Sequence, residues 1–405
     1  MEKEEKKRIL NETFGTFPQV MMWRRTLHQY PELAFVEQRT SRFVMDTLSR
    51  EGIACRSIAG TGVLAQIEGT LSLPGREHDA VVLRADMDAL PVTEATGLEF
   101  ASAHKGVMHA CGHDMHTAML LGALRVLQRH RDQFCGTVFG LFQPGEELNP
   151  GGASLVMRED PFAGYRVVAF AGQHVEPMLK TGTYGFREGK YMASSDELRF
   201  RIRGVGGHAA LRERIKDPVG AAAELIRLLY AIPDRRPDPT LPTIISIGRV
   251  EANGATNVVP DDAYMEGTMR TFDETWRARI KELIREAAAE VDRRFGTKTE
   301  VDISDGYPCV VNDPALTRTI AASSEALFGA EAVVALGMRP TSDDFGFYSL
   351  RYPSVYYRLG VGGDGDFFES HAAGRVHTAT FRPDEKALGY GVVQFINIVF
   401  TLLSE

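Results

Sequence analysis

AVVLRADM, residues 80–87, decides the class of the fold. Ala80 to Leu83 is an unbroken apolar run, the mark of a strand buried on both faces, as strands of parallel sheets are. Arg84, Asp86 and Asp88 follow it at once. The same pattern recurs along the chain. TVFGLFQ (137–143) runs into PGEE and so delivers Glu146 and Glu147, and VVAFAG (167–172) runs into Gln173 and His174. SVYYRLG (354–360) leads, after a glycine-rich loop, to His377. Open α/β sheets bind ligands beyond the carboxyl ends of their strands, so these side chains are expected along one edge.

MHACGHDMHT (108–117) supplies the chemistry for that edge. Cys111, His113, Asp114 and His116 crowd together, with His109 just before them. Thiolate, imidazole and carboxylate are the donor mixture that zinc, nickel, cobalt and manganese accept. Gly112 lets the backbone turn so that Cys111 and His113 converge. AMLLGALRVL follows as a buried helix, with Asp114 as its expected N-cap. A Cys–His nucleophilic pair attacking an acyl carbon is an alternative that the local sequence alone does not exclude.

At 405 residues the chain has room for two domains. Hydrophobic content of 44% and charged content of 25% are those of an ordinary globular protein. A net charge of −8 argues against nucleic acid, which requires a basic face. MEKEEKKRIL has no apolar h-region, so no secretory signal is expected, and no apolar run reaches membrane-spanning length. Cys55, Cys111, Cys135 and Cys309 are scattered, which suits a reducing compartment; the cytoplasm is expected.

Before residue 54, helical periodicity covers 8–53 and Pro31 divides it into two helices. GVLAQIEG (62–69) is a strand expected to neighbour 80–87, across a loop with Pro74 and Gly75. Near residue 190 the pattern changes. SDELRFRIRG alternates as a half-exposed strand does, and Asp217-Pro218 opens a helix through Ala231. TIISIGRV and AYMEGTMRTF are strands, 274–295 is an amphipathic helix, and TEVDIS closes the set. This β-α-β-β-α-β order is that of a ferredoxin-like unit. The fold expected is therefore α/β: a larger domain with a mixed, largely parallel sheet (1–190 and 306–405) and an inserted ferredoxin-like α+β domain (191–305). Within the insert, GVGGHAA (204–210) carries His208 and lacks the Lys-Ser/Thr of a phosphate loop.

Taken together, RADMDALPV (84–92), HACGHDMHTAML (109–120), FQPGEE (142–147), QHVEP (173–177), VGGHAA (205–210), NVVPDDA (257–263), GTMR (267–270) and VHTATFRPDE (376–385) resemble a known family. It is the di-metal metallopeptidase family of aminoacylases, acetylornithine deacetylases and glutamate carboxypeptidases. The likeness is to its amidohydrolase branch of N-acyl-amino-acid amidohydrolases, hippurate hydrolases and auxin-conjugate hydrolases. The resemblance implies a metallohydrolase with two divalent ions per subunit (Mn, Zn, Ni or Co), held by Cys111, His113, Glu147, His174 and His377. It implies Glu146 as general base and Asp88 as the carboxylate that orients a ligand imidazole. His208 and Asn257 match groups that reach a partner subunit's site in dimeric relatives, and Arg270 matches the residue gripping the substrate carboxylate. A homodimer joined through the inserted domain, which also serves as a lid, is implied too. One departure is plain: relatives read Ser-Glu-Asp-Phe where this chain has Ser342-Asp343-Asp344-Phe345. The missing methylene moves any contact of Asp343 by about 1.5 Å, which bears on acyl or amino-acid preference and not on hydrolysis.

The function expected is hydrolysis of N-acyl amino acids to a carboxylic acid and a free amino acid. A dipeptidase or carboxypeptidase of the same fold is the alternative within the family, and a thiol amidase or a non-catalytic metal binder lies outside it.

Overall fold

A computed structural model describes residues 8, 9 and 12–404. The charged start of the chain, on which the reading of MEKEEKKRIL rests, therefore lies largely outside the described residues. The chain divides into two compact units. One comprises Met1–Gly189, Val311–Gly337 and Phe347–Glu405; the other comprises Lys190–Val310 and Met338–Gly346. Residues 338–346 join the second unit because Ala193 N–H meets the carbonyls of Arg339 and Thr341, each at 3.1 Å, while Arg339 N–H bonds Tyr191 O at 2.8 Å.

The first unit is built on an eight-stranded sheet. In chain order its strands are β1 (Ala54–Ile58), β2 (Gly62–Glu68), β3 (Asp79–Asp86), β4 (Thr137–Gln143), β5 (Arg166–Glu176), β6 (Tyr184–Phe186), β7 (Val333–Ala335) and β8 (Ser354–Gly360). Their spatial order is β1-β2-β4-β3-β5-β8-β6-β7. β4, β3, β5 and β8 run parallel at its centre, and every residue of β3, β4 and β8 is buried. Continuous apolar composition thus marked the parallel strands correctly. Two expectations change. β2 and β3 are not neighbours, because β4 pairs with both of them. β5 continues to Glu176, so His174 stands within the strand, opposite Arg358 of β8, and not in a following loop.

The longer helices of this unit are α1 (Phe17–Gln29), α2 (Gln38–Arg50), α3 (His113–Arg129), α4 (Pro314–Phe328) and α5 (Ala387–Leu403). α3 and α5 bury nearly their whole length, as their sequences require, and share one apolar core with the sheet. No helix among the described residues is long and apolar enough to cross a membrane.

The start of α3 departs from expectation in a way that fixes the site. Its N-cap is Gly112, at φ +93°, so Asp114 is the second residue of the helix, within its first turn. The Asp114 carboxylate is spent on a buried network: Oδ2 accepts from Arg24 Nε at 2.8 Å and lies 2.9 Å from His28 Nδ1. Arg24 and Asp114 are both 1% exposed. Removing one partner of such a pair strands a buried charge. Asp114→Ala is expected to lose about 3 kcal/mol of stability, the lower end of the usual range, because Glu385 still holds Arg24 at 3.0 Å. Urea unfolding read by circular dichroism measures this; an unchanged midpoint would contradict it.

The second unit carries a four-stranded antiparallel sheet of Asp196–Arg203, Thr243–Glu251, Asp262–Thr271 and Lys298–Ile303. The first strand lies between the third and the fourth, and the second lies outside the third. With helices Pro218–Tyr230 and Glu274–Phe295 this is the β-α-β-β-α-β arrangement of a ferredoxin-like fold. Strand 196–203 alternates buried and open positions, with Leu198, Phe200 and Ile202 in the core beneath the helices. Asp217 caps the first helix through Val219 and Gly220 N–H, and Asp273 caps the second through Trp276 N–H.

Candidate metal centre

The carboxyl edge of the parallel strands gathers the polar side chains that follow them in sequence. Cys111 and His113 flank the αL glycine that opens α3, His174 stands near the end of β5, and Glu146 and Glu147 follow β4. His377 arrives from a distant loop at φ +63°, its N–H bonded to Ala110 O at 2.7 Å. Donor atoms of Cys111, His113 and His174 lie within 4.8 Å of one another, and so do those of Cys111, Glu147 and His377. Cys111 belongs to both sets.

Hydrogen bonding fixes which atoms face inward. His113 Nδ1 lies 2.9 Å from the Asp88 carbonyl and His174 Nδ1 lies 2.7 Å from the Val175 carbonyl, so each carries its proton on Nδ1. Both Nε2 lone pairs are then available to a cation. His174 Nε2 sits 3.4 Å from Cys111 Sγ. His113 Nε2 and Glu147 Oε1 are buried without a hydrogen-bond partner. His377 Nε2 is 3.2 Å from Glu147 Oε1, near it but not aligned for a hydrogen bond. Orphaned buried donor atoms converging from separate segments are what a cation site requires, since such groups are otherwise costly to bury. The residues present fit a pair of divalent ions.

The electrostatics agree with that geometry. Burial, and then the charge of Arg358, push His174 well below the ordinary imidazole range, which keeps it neutral. Burial and the charge of Glu147 raise the Cys111 thiol. Burial disfavours a proton on His113, but Asp86 and Cys111 more than offset it and hold this imidazole well above its ordinary range. Contacts with Cys111 and Glu147 lift His377 to about 10. Binding of cations here would displace the protons that His113, His377 and Cys111 otherwise hold.

Asp86, His113 and His116 also lie within ligand distance of one another. They make a poor cation site because their atoms are already engaged. His116 Nδ1 is 2.6 Å from Asp86 Oδ1, and His116 Nε2 accepts from Val175 N–H at 3.0 Å. Asp86 also meets Arg84. His116 thus supports the end of β5 beside His174. Asp88 contributes mainly through its backbone carbonyl to His113, while its carboxylate Oδ2 accepts Glu147 N–H at 2.9 Å. His109 is buried, with neither ring nitrogen hydrogen-bonded.

Gly112 has no room for a side chain. A Cβ there would stand 2.5 Å from Val175 Cγ2, at a backbone angle that L-residues avoid. Gly112→Ala is expected to cost about 1–3 kcal/mol and to weaken metal retention by spreading Cys111 from His113. Metal content after dialysis, set beside a thermal melt, separates the two effects; a variant that keeps its full metal content would contradict the second.

The remaining expected site residues lie in the second unit. His208 lies on a short two-stranded ribbon paired with Val258, and Asn257 is the turn residue just before that strand; both are exposed, and Ala209 N–H bonds Asn257 O at 2.9 Å. Arg270, half-buried near the end of strand 262–271, reaches Ser342 Oγ at 3.3 Å. Asp343 is buried, and its Oδ1 accepts Phe345 N–H at 2.9 Å.

Residues 82–386 match Peptidase family M20/M25/M40. The chain belongs to that family. It is a metal-dependent amide hydrolase of the family's fold. It is 37% identical to the N-acetyl-L-cysteine deacetylase of Bacillus subtilis, over 90% of this chain and 83% of that one. It is 35% identical to thermostable carboxypeptidase 1 of Saccharolobus solfataricus, over 92% and 93% of the two chains. Among solved structures, a dinuclear metal-binding peptidase of the M20 family from B. subtilis superposes with a TM-score of 0.80 at 32% identity, covering 96% of this chain and 99% of that one.

Proposed function

We propose that this M20-family enzyme hydrolyses the amide bond of N-acyl amino acids, with two divalent ions, Mn, Zn, Ni or Co, held by Cys111, His113, Glu147, His174 and His377. The observation that carries this is the sharing of Cys111 between two donor sets, beside buried Glu146. When bound, the ions would polarise the amide carbonyl and acidify the attacking water. Glu146, next in sequence to Glu147 and within 4.8 Å of the Glu147 and His113 donors, takes the proton of that water and returns it to the leaving amine. Asp88 keeps the His113 tautomer and the Glu147 backbone in place. In the proposed homodimer His208, with Asn257 beside it, reaches the partner subunit's site and donates a hydrogen bond to the developing oxyanion there, and Arg270 grips the substrate carboxylate through a two-pronged contact that Lys could not copy.

The products are a carboxylic acid and a free amino acid. A carboxypeptidase or dipeptidase activity of the same site is the second reading, favoured by the likeness to a carboxypeptidase over 92% of the chain. A homodimer through the ferredoxin-like unit, working in the cytoplasm, belongs to the same proposal. The test is one panel of acetyl-, benzoyl- and indoleacetyl-amino acids beside dipeptides, with metal-loaded protein. The proposal expects kcat/KM for the best acyl-amino acid to exceed that for the best dipeptide by about tenfold or more, near 1.4 kcal/mol in the barrier. The reverse ratio selects the second reading.

A further inference from the structure

Glu37 precedes α2, the position where a side chain ordinarily accepts the first N–H groups of its own helix. It makes no such bond. Glu32 does that work instead: its Oε1 accepts Arg39 N–H at 3.1 Å, and its Oε2 accepts Thr40 N–H at 2.8 Å and Thr40 Oγ1 at 3.0 Å. The Glu37 carboxylate, fully buried, points elsewhere. Its Oε1 accepts Gly145 N–H at 2.8 Å and its Oε2 accepts Thr61 Oγ1 at 2.5 Å. Gly145 is the residue just before Glu146.

The segment leading into Glu37 is shaped for this contact. Phe35 adopts φ +63°, unusual for a bulky residue. Its ring covers Gly145 so closely that a Cβ there would lie 2.3 Å from it. Just upstream, Glu32 O accepts Ala89 N–H at 2.8 Å, which fastens the same segment to the stretch carrying Asp88. On its far side, Gly145 O accepts Gly152 N–H at 3.0 Å, and Glu147 N–H bonds Asp88 at 2.9 Å. Both amides that bracket Glu146, those of Gly145 and Glu147, are therefore held by buried carboxylates from distant parts of the chain. A buried carboxylate that does not cap its own helix, and that accepts from Gly145 N–H and Thr61 O–H instead, is explained by what it holds.

We propose that Glu37 is a positioning residue for the hydrolysis: by anchoring Gly145 N–H it sets the turn that aims Glu146 and Glu147. This rests on the assignment of Glu146 as general base made above. Misplacing a reacting group by about 1 Å can cost on the order of 10²-fold in rate. Glu37→Ala removes the acceptor, and Glu37→Gln keeps an oxygen for Gly145 N–H while the Thr61 hydroxyl turns to accept.

The test measures kcat, KM and bound metal for both variants, using the acyl-amino acid turned over fastest in the panel, together with amide hydrogen exchange over residues 141–152. Glu37→Ala is expected to lower kcat by about 10–100-fold, with KM and metal content near wild type and faster exchange confined to that peptide. Glu37→Gln is expected to restore kcat to within about threefold, a rescue that a general stability defect would not show. If Glu37→Ala does not fold, Glu37→Asp replaces it; its oxygens retract by about one C–C bond, roughly 1.5 Å, and kcat is expected to fall in the same way. Wild-type kcat in the Ala or Asp variant, or an equal loss in Glu37→Gln, overturns the inference. A parallel Glu146→Gln keeps the two ideas apart. If it stays active, the base assignment fails; if it is inactive while Glu37→Ala turns over normally, only the Glu37 inference fails.

Discussion

Glu146→Gln is expected to retain two metal ions and lose about 10³-fold in kcat, with KM changed little. The substitution keeps the size of the side chain and removes its ability to take a proton. Positioned general bases contribute about 10²–10⁴-fold, and the buried setting of Glu146 places this one within that range. Glu147, its neighbour, faces the cation donors instead, with Oε1 buried and unbonded. In the proposed mechanism the pair divides its labour: one carboxylate would hold charge and the other would move a proton. Steady-state kinetics with metal analysis of the same sample check this. A variant keeping more than about a tenth of wild-type kcat would remove Glu146 from the chemistry, since a tenfold effect is only about 1.4 kcal/mol.

Cys111→Ala is expected to be as damaging for a different reason. His174 belongs to one donor set and His377 to the other, so removing either weakens one cation position. Cys111 is common to both. Its loss should release both ions together and abolish the several kcal/mol of charge stabilisation they supply. About 4 kcal/mol corresponds to a loss of roughly 10³-fold in turnover. His377→Ala, by comparison, should leave one ion in place. Metal stoichiometry of the two variants after identical dialysis distinguishes them; equal stoichiometries would show that the thiolate is not shared.

Much of this was legible from composition and order. Strands buried on both faces announced themselves as apolar runs, and each pointed to the polar residues at its end. The helix at 274–295 could be read to its limits because a charged, amphipathic stretch between Asp273 and Gly296 carries its own start and stop signals. Strand pairing was another matter. β4 enters between β2 and β3 through contacts across more than fifty residues, and no local pattern encodes that choice. Asp114 looked like an N-cap because acidic residues favour helix starts, yet Arg24 and His28, remote in sequence, claim its carboxylate.

Glu37 was missed altogether. Its neighbours suggest only the beginning of an amphipathic helix, and its partners Thr61 and Gly145 are visible only once the chain is folded. Phe35 hides in the same way: a left-handed backbone angle at an aromatic residue leaves no trace in the sequence. His116 sits in the metal-rich motif but outside the ligand set that the resemblance implies, and Asp86 and Val175 N–H do occupy both its ring nitrogens. Residue type picked out the candidate donors, the resemblance named a ligand set among them, and the bonding pattern of His116 fits its place outside that set.

The most direct test is to strip the protein with a chelator and return cobalt(II) stepwise, following turnover of an N-acyl amino acid and the near-ultraviolet spectrum together. The expected result is no turnover without metal, a rise that levels off at two ions per chain, and a thiolate-to-cobalt absorption band that Cys111→Ala lacks. Full turnover in the metal-free protein, or saturation with no thiolate band, would contradict a centre built on a shared cysteine.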